Sequence, residues 1–203
     1  MTKILAINGS YRAEGMTDQA VEIIVNALRS LGATVEVILL REFPLAFCSN
    51  CRECTQQPGS SPGNCVQDDN MAELIQKIEQ ADGVVLASPT NFASTTALFK
   101  RFMERLVVYG YWPWGKHSPK LRSKGKPRKK AVLISSSAAP AFMGLLFFTT
   151  MKQLKISAKT IGAKQVGKIF IGLAAKDPQP VLSDHTKQKI WNAATKLVQT
   201  AKG

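Results

Sequence analysis

Apolar residues along this chain follow two alternating rhythms. Short unbroken runs recur at Ile4–Asn8, Val35–Leu40, Gly83–Ala87, Ala131–Ser135 and Val166–Gly172. The first stops at Gly9-Ser10 and the third at Ser88-Pro89. Unbroken runs of this length predict strands buried on both faces, the habit of a parallel sheet. Between the runs the spacing lengthens to that of a helix. From Thr17 to Leu31, the residues Ala20, Ile23, Ile24, Ala27, Leu28 and Leu31 share one face. Thr17 is the candidate cap, Asp18 suits the first turn, and Gly32 ends the helix. Further helices are predicted from Met71 to Gln80 with Asp69 as cap, from Thr95 to Val107, from Ala141 to Ile161 and from Ser183 to Ala201.

A strand followed by a helix, repeated five times, predicts an α/β fold. Its form is a doubly wound, five-stranded parallel sheet with helices on both faces. The 203 residues suit a single domain, 1–203. Two stretches break the rhythm. Residues 43–67 form a Pro-, Gly-, Ser- and Gln-rich loop that holds all four cysteines. Residues 109–130 form a basic, aromatic insertion.

In such sheets ligands sit at the carboxyl ends of the strands, at the topological switch point. The segments there are Gly9–Thr17, Ser88–Thr95 and Ser135–Gly144, all rich in small residues and hydroxyls. The first leads into a helix N-terminus, an anion site by virtue of its exposed N–H groups. Ser10 and Thr17 add hydroxyls, and Arg12 adds a fork suited to phosphate. The spacing matches neither the dinucleotide fingerprint nor the ATP-type loop. It suits a monophosphate, while a plain strand–helix turn remains the competing reading.

Four motifs stand in register: Ile7-Asn8-Gly9-Ser10 with Arg12 and Thr17; Ser88-Pro89-Thr90-Asn91-Phe92; Phe99-Lys100-Arg101-Phe102 with Glu104-Arg105; and Gly125-Lys126-Pro127. Together they resemble the flavodoxin-like NAD(P)H-dependent FMN reductases over residues 3 to 175. The resemblance implies that Ser10, Arg12 and Thr17 hold the FMN phosphate. It implies that Pro89, Thr90, Asn91 and Phe92 lie along the isoalloxazine, and that Ser135, Ser136 and Ser137 meet it from the other side. Ala93 departs from the family, which often has Gly there. The implied activity takes a hydride from NAD(P)H and passes electrons to a quinone, a flavin or another small acceptor. Such chemistry belongs to the cofactor, so no catalytic side chain is expected. His117 and His185 read as surface residues, and no Ser/His/Asp set is present.

Cys48, Cys51, Cys54 and Cys65 lie within eighteen residues. A secreted disulfide framework would spread its cysteines, so the cluster points to metal, cofactor or redox use. The Cys48-x2-Cys51-x2-Cys54 run has iron–sulfur spacing and resembles the cysteine segment of the iron–sulfur flavoproteins. That resemblance implies a [4Fe–4S] cluster on the four cysteines and an electron-carrier role. A structural zinc, a redox-active pair near Arg52 and unliganded thiols are the other readings. A non-catalytic flavodoxin-like binding module is a further alternative.

Net charge comes last because it changes least. The chain has 27 Lys+Arg against 14 Asp+Glu, a net +13. Residues 1–101 carry 8 basic and 11 acidic groups, whereas 102–203 carry 19 and 3. Eight of the basic groups fall between Lys116 and Lys130. The phosphate loop therefore lies in the half with no positive excess. The run reads as a solvated face, or as a lure for NADPH or an acidic acceptor. Its aromatics, Tyr109, Tyr111, Trp112 and Trp114, precede the charges instead of interleaving with them, which argues against nucleic acid. They suit packing on a partner subunit. The apolar stretch from Ala141 predicts a buried helix and a homodimer or homotetramer. No apolar run reaches membrane length and no leader pattern opens the chain, so a cytoplasmic protein is expected.

Overall fold

The computed structural model describes residues 1–122, 129–177 and 179–199. Lys124, Lys126 and Arg128 of the basic run, the Gly125-Lys126-Pro127 motif and the expected helix end at Ala201 lie outside the described residues.

In chain order the elements are β1 (Lys3–Asn8), α1 (Met16–Ser30), β2 (Thr34–Leu39), α2 (Glu53–Gln56), α3 (Met71–Gln80), β3 (Gly83–Ala87), β4 (Thr90–Asn91), β5 (Ser94–Thr95), α4 (Ala97–Arg105), β6 (Gly110–Tyr111), β7 (Lys120–Leu121), β8 (Lys129–Ser136), α5 (Ala141–Phe147), α6 (Thr150–Thr160), β9 (Ala163–Ile171) and α7 (Asp184–Val198). A 3-10 turn, Leu106–Tyr109, extends α4. The main sheet runs β2-β1-β3-β8-β9, all parallel. That is the flavodoxin order, with its switch point between β1 and β3.

Alternation along the strands builds two cores. Leu5, Ile7, Val84, Leu86, Ala131 and Leu133 face α3, α4 and α6. Ile4, Ala6, Val85, Ala87, Val132 and Ile134 face α1 and α7. Leu28 of α1 and Phe102 of α4 are wholly buried, each stabilising the fold by ~1.5–3 kcal/mol.

Several expectations need correction. Thr17 does not cap α1. The cap position is Gly15, and Thr17 sits buried inside the first turn. Asp69 precedes the cap residue Asn70, although its carboxylate still accepts from the Met71 N–H at 3.0 Å. The helix expected from Thr95 begins at Ala97, because residues 90–95 form the β4–β5 hairpin and Thr96 caps instead. The cysteine loop contains α2, and the insertion contains the β6–β7 ladder.

The expected helix 141–161 is two helices. Thr149 breaks it: its N–H and its hydroxyl both bind the Ala93 carbonyl, at 2.9 and 3.0 Å. The first half is not buried either. Phe142, Leu146 and Phe147 are 65–73% exposed, and only Gly144 of α5 is buried, against Phe170. Three of the insertion's aromatics stand over arginines of their own chain, while Trp114 stays 64% exposed. Trp112 and Trp114 sandwich the Arg52 guanidinium at 4.0 and 4.1 Å, and Tyr109 is buried. No helix among the described residues is long and apolar enough to cross a membrane.

Candidate functional site

The carboxyl ends of β1, β3 and β8 open into a cleft of about 260 Å³. Its first wall is the β1–α1 loop. Gly9 allows this loop to pass close to α4, since a Cβ there would stand 2.8 Å from Phe99 Cβ. Asn8, 1% exposed at the end of β1, accepts the Ser10 N–H on Oδ1 and donates to Asp18 at 2.6 Å. Asp18 in turn pairs with Arg41 at 2.9 Å. The Ser10 hydroxyl donates to the Arg12 carbonyl at 3.0 Å, closing the loop on itself. Met16 and Thr17 begin α1 beside the cleft, where first-turn N–H groups have no intrahelical acceptor. With the helix dipole they favour an anion there.

The second wall is Pro89-Thr90-Asn91 and the third is Ser136-Ser137-Ala138. Buried and half-buried hydroxyls join the walls. Thr17 Oγ1 lies 2.8 Å from Ser136 Oγ, and Thr90 Oγ1 lies 2.9 Å from Thr150 Oγ1 and 3.3 Å from Ser135 Oγ. A fourth wall comes from the segment after β9. The Ala174 N–H binds the Ser137 carbonyl and the Leu173 N–H binds that of Ala139, which places Ala174 and Ala175 on the cleft.

The cysteines converge elsewhere. All four line a pocket of about 20 Å³ beside Arg105, Val107 and Val108, at the far end of α4. Arg105 is 1% exposed. It grips Asp69 with two N–H groups at 2.5 and 2.9 Å, donates to the Ala46 carbonyl at 2.8 Å, and reaches Cys65 Sγ at 3.4 Å. Burial alone would raise the Asp69 carboxyl, but the Arg105 fork and the Ala46 and Met71 N–H groups outweigh it and hold the carboxyl below its ordinary value. Burial, then the neighbouring Cys65, Cys48 and Cys51, push the Cys54 thiol up to about 11. Gly63 is required here, because a Cβ would fall 1.9 Å from the Cys54 carbonyl oxygen.

These thiols supply the donor chemistry of a four-iron cluster but do not fit one as arranged. Among the described residues no three His, Cys, Asp or Glu side chains come together as metal ligands. A pocket of about 20 Å³ is close to the ~10–15 Å³ that one water needs.

Residues 2–172 match the family model described as NADPH-dependent FMN reductase. The chain belongs to that family. Among curated proteins, this FMN reductase family member is 32% identical over 111 residues to an iron-sulfur flavoprotein of Archaeoglobus fulgidus. The match covers 55% of this chain and 48% of that protein. It is 34% identical over 103 residues to one of Methanocaldococcus jannaschii, covering 51% of each. The chain thus spans about half the length of the curated relatives it matches. Among solved structures, an FMN-dependent NADH-azoreductase of Bacillus anthracis in complex with FMN superposes with a TM-score of 0.68. Identity is 15%, with coverage of 98% of this chain and 100% of that one. An apo NADH:FMN oxidoreductase reaches 0.64 at 16% identity, covering 100% of this chain and 92% of that one. These two likenesses bear on the fold alone.

Of the ten residues expected around the cofactor, eight line the cleft: Ser10, Arg12, Thr17, Pro89, Thr90, Asn91, Ser136 and Ser137. Two do not. Ser135 lies wholly buried beneath Thr90, and Phe92 projects fully into solvent from the hairpin turn. Sequence reasoning overlooked Asn8, Asp18 and Arg41, which hold the first loop from behind. Asn8 and Asp18 stand ten residues apart, the reach of one strand–loop–helix turn, and the adjacent Gly9-Ser10 was the signal available. It also overlooked Thr150 and the Ala174-Ala175 wall, whose positions depend on long-range contacts.

Proposed function

We propose that the cleft binds FMN, its phosphate on the β1–α1 loop and its ring between the 89–91 and 136–138 walls. One observation carries this reading: three hydroxyl-rich loops converge on one cleft at the β1/β3 switch point, with a helix N-terminus at one end. The cleft fits the group, since it offers anion-binding N–H groups, the Arg12 side chain and small residues that admit a flat ring. When bound, FMN supplies hydride acceptance from NAD(P)H and electron release to a small acceptor such as a quinone or a flavin. The chain's part is to bind, orient and shield. Ser10 shapes the loop, Thr17 and Ser136 lock its two walls together, and Arg12 meets the phosphate.

Fluorescence titration with FMN tests the reading. Submicromolar binding is expected, weakened about tenfold or more in Arg12→Ala, as befits loss of a charged hydrogen bond. NADH or NADPH should then bleach the bound flavin. Protein that takes up no FMN refutes the reading. The exposed apolar face of α5 supports assembly as a homodimer or homotetramer, which sedimentation analysis would show.

A second reading, an electron carrier with a [4Fe–4S] cluster on Cys48, Cys51, Cys54 and Cys65, is favoured by the convergence of the four cysteines in one pocket. It requires that pocket to widen. Iron and sulfide analysis after anaerobic purification decides it, with about four of each per chain expected if it holds.

A further inference from the structure

Three buried or half-buried hydroxyls meet at one wall of the cleft. Thr90 lines it. Behind Thr90 stand Thr150 at 2.9 Å and Ser135 at 3.3 Å, both with no exposed surface. Each hydroxyl carries one proton and two lone pairs. Among the described residues, neither Ser135 nor Thr150 has another hydrogen-bond partner for its hydroxyl. If Thr90 donated to either of them, that hydroxyl would keep a buried proton with no acceptor, a penalty that shifts populations by about tenfold. Both protons therefore go to Thr90 Oγ1, and both of its lone pairs are filled from behind. The proton left over belongs to Thr90, and the open side is the cleft.

We propose that Ser135 and Thr150 fix the Thr90 hydroxyl as a hydrogen-bond donor into the cleft, directed at an acceptor atom of the flavin ring. This rests on the reading that the ring lies against the 89–91 wall. Thr90 is the residue that touches the ligand, and Thr150 and Ser135 are positioning residues. Two donors feeding one hydroxyl also polarise it, so the outgoing bond is stronger than that of an isolated threonine. A donor at that place favours the ring state that carries more negative charge on its acceptor atoms. The cleft would thus bind reduced FMN more tightly, relative to oxidised FMN, than the same cleft with a hydroxyl free to rotate.

The three hydroxyls come from distant parts of the chain. Thr90 belongs to the loop after β3, but Thr150 is sixty residues further on, at the first position of α6. It arrives there only because the apolar segment breaks at Thr149.

The test uses the FMN-loaded protein. Infrared difference spectra of bound FMN report the ring's C=O and C=N stretching bands; losing a donor raises a C=O band and displaces a C=N band. Thr90→Val should shift one of these bands, make the midpoint potential more negative and weaken FMN binding about threefold to tenfold. Thr150→Val should shift the same band in the same direction by a smaller amount, and Thr150→Ser should restore the wild-type spectrum. Should Thr150→Val fail to fold by circular dichroism, Ser135→Ala carries the same comparison. A Thr150→Val or Ser135→Ala protein whose band and potential match wild type overturns the hydroxyl assignment and leaves the cleft reading standing. Wild-type protein that takes up no FMN overturns both.

Discussion

Asp69→Asn should destabilise the fold by about 3–4 kcal/mol, the range for breaking a buried ion pair from one side. The magnitude follows from what Asp69 holds. Its two oxygens accept both N–H groups of Arg105 and the backbone N–H groups of Ala46 and Met71. Arg105 is 1% exposed, so water cannot take the place of the lost carboxylate. An asparagine amide in that position keeps one acceptor and turns two donors toward a cation. With a urea slope of ~2 kcal/mol per molar, the midpoint should fall by ~1.5–2 M. The pH dependence fixes the cause. Asp69 is held below its unfolded value of ~3.9, so its contribution is fully present above that pH and is lost as pH falls through the lower, folded value. The gap between wild type and Asp69→Asn should therefore stay constant from about pH 5 to 8 and begin to close below about pH 4. Adding Arg105→Met should recover much of the loss, because a well-packed apolar pair is often no worse than the ionic one. A midpoint drop under ~0.5 M, or a gap unchanged at pH 3, would refute the argument.

Ala93→Gly should raise the melting temperature by ~1–4 °C in a thermal scan, since Phe92 and Ala93 hold left-handed angles of 49° and 62° in the two-residue turn; a lower melting point contradicts this. Among the thiols, exposed Cys51 should react with an aromatic disulfide reagent at pH 7.5 well over tenfold faster than Cys54, whose thiol is buried and pushed up to about 11. Mass mapping of the first labelled site checks it, and early labelling of Cys54 would count against the pocket. Arg41→Ala should weaken FMN binding about threefold to tenfold by leaving the Asp18 charge beside the anion site, an effect reduced by salt; unchanged affinity by calorimetry would remove Asp18 from the site's electrostatics.

The fold was legible because a parallel sheet writes itself as unbroken apolar runs, and Gly83–Ala87 was located to the residue. Local chemistry was legible too, as Gly9, Ser10 and Thr17 lie within one turn of chain. What escaped was everything that a distant partner decides. Composition alone makes 141–161 one apolar helix, yet a carbonyl at Ala93 claims the Thr149 N–H and breaks it. Arg105 falls within the helix expected from Thr95 to Val107, but nothing nearby announces that Asp69 will draw its charge wholly inside. The cysteines stand close together in the sequence, and the structure gathers them into one pocket. Spacing gave no access to the volume between them.

The bonds that seat the β4–β5 hairpin carry a kinetic consequence. Its turn has no glycine, and its position depends on Thr149 holding the Ala93 carbonyl, on Gln153 accepting from Ser94 and Thr95, and on the Thr90–Thr150 contact. Every one of these partners lies 56 to 60 residues further along the chain. During synthesis the hairpin lacks most of its anchors until α6 has emerged, and in refolding it belongs with the slow, non-local contacts. The cleft wall at residues 89–91 is thus among the last parts of the molecule to set and among the first to loosen. Its amides should exchange hydrogen well before those of the sheet beneath it.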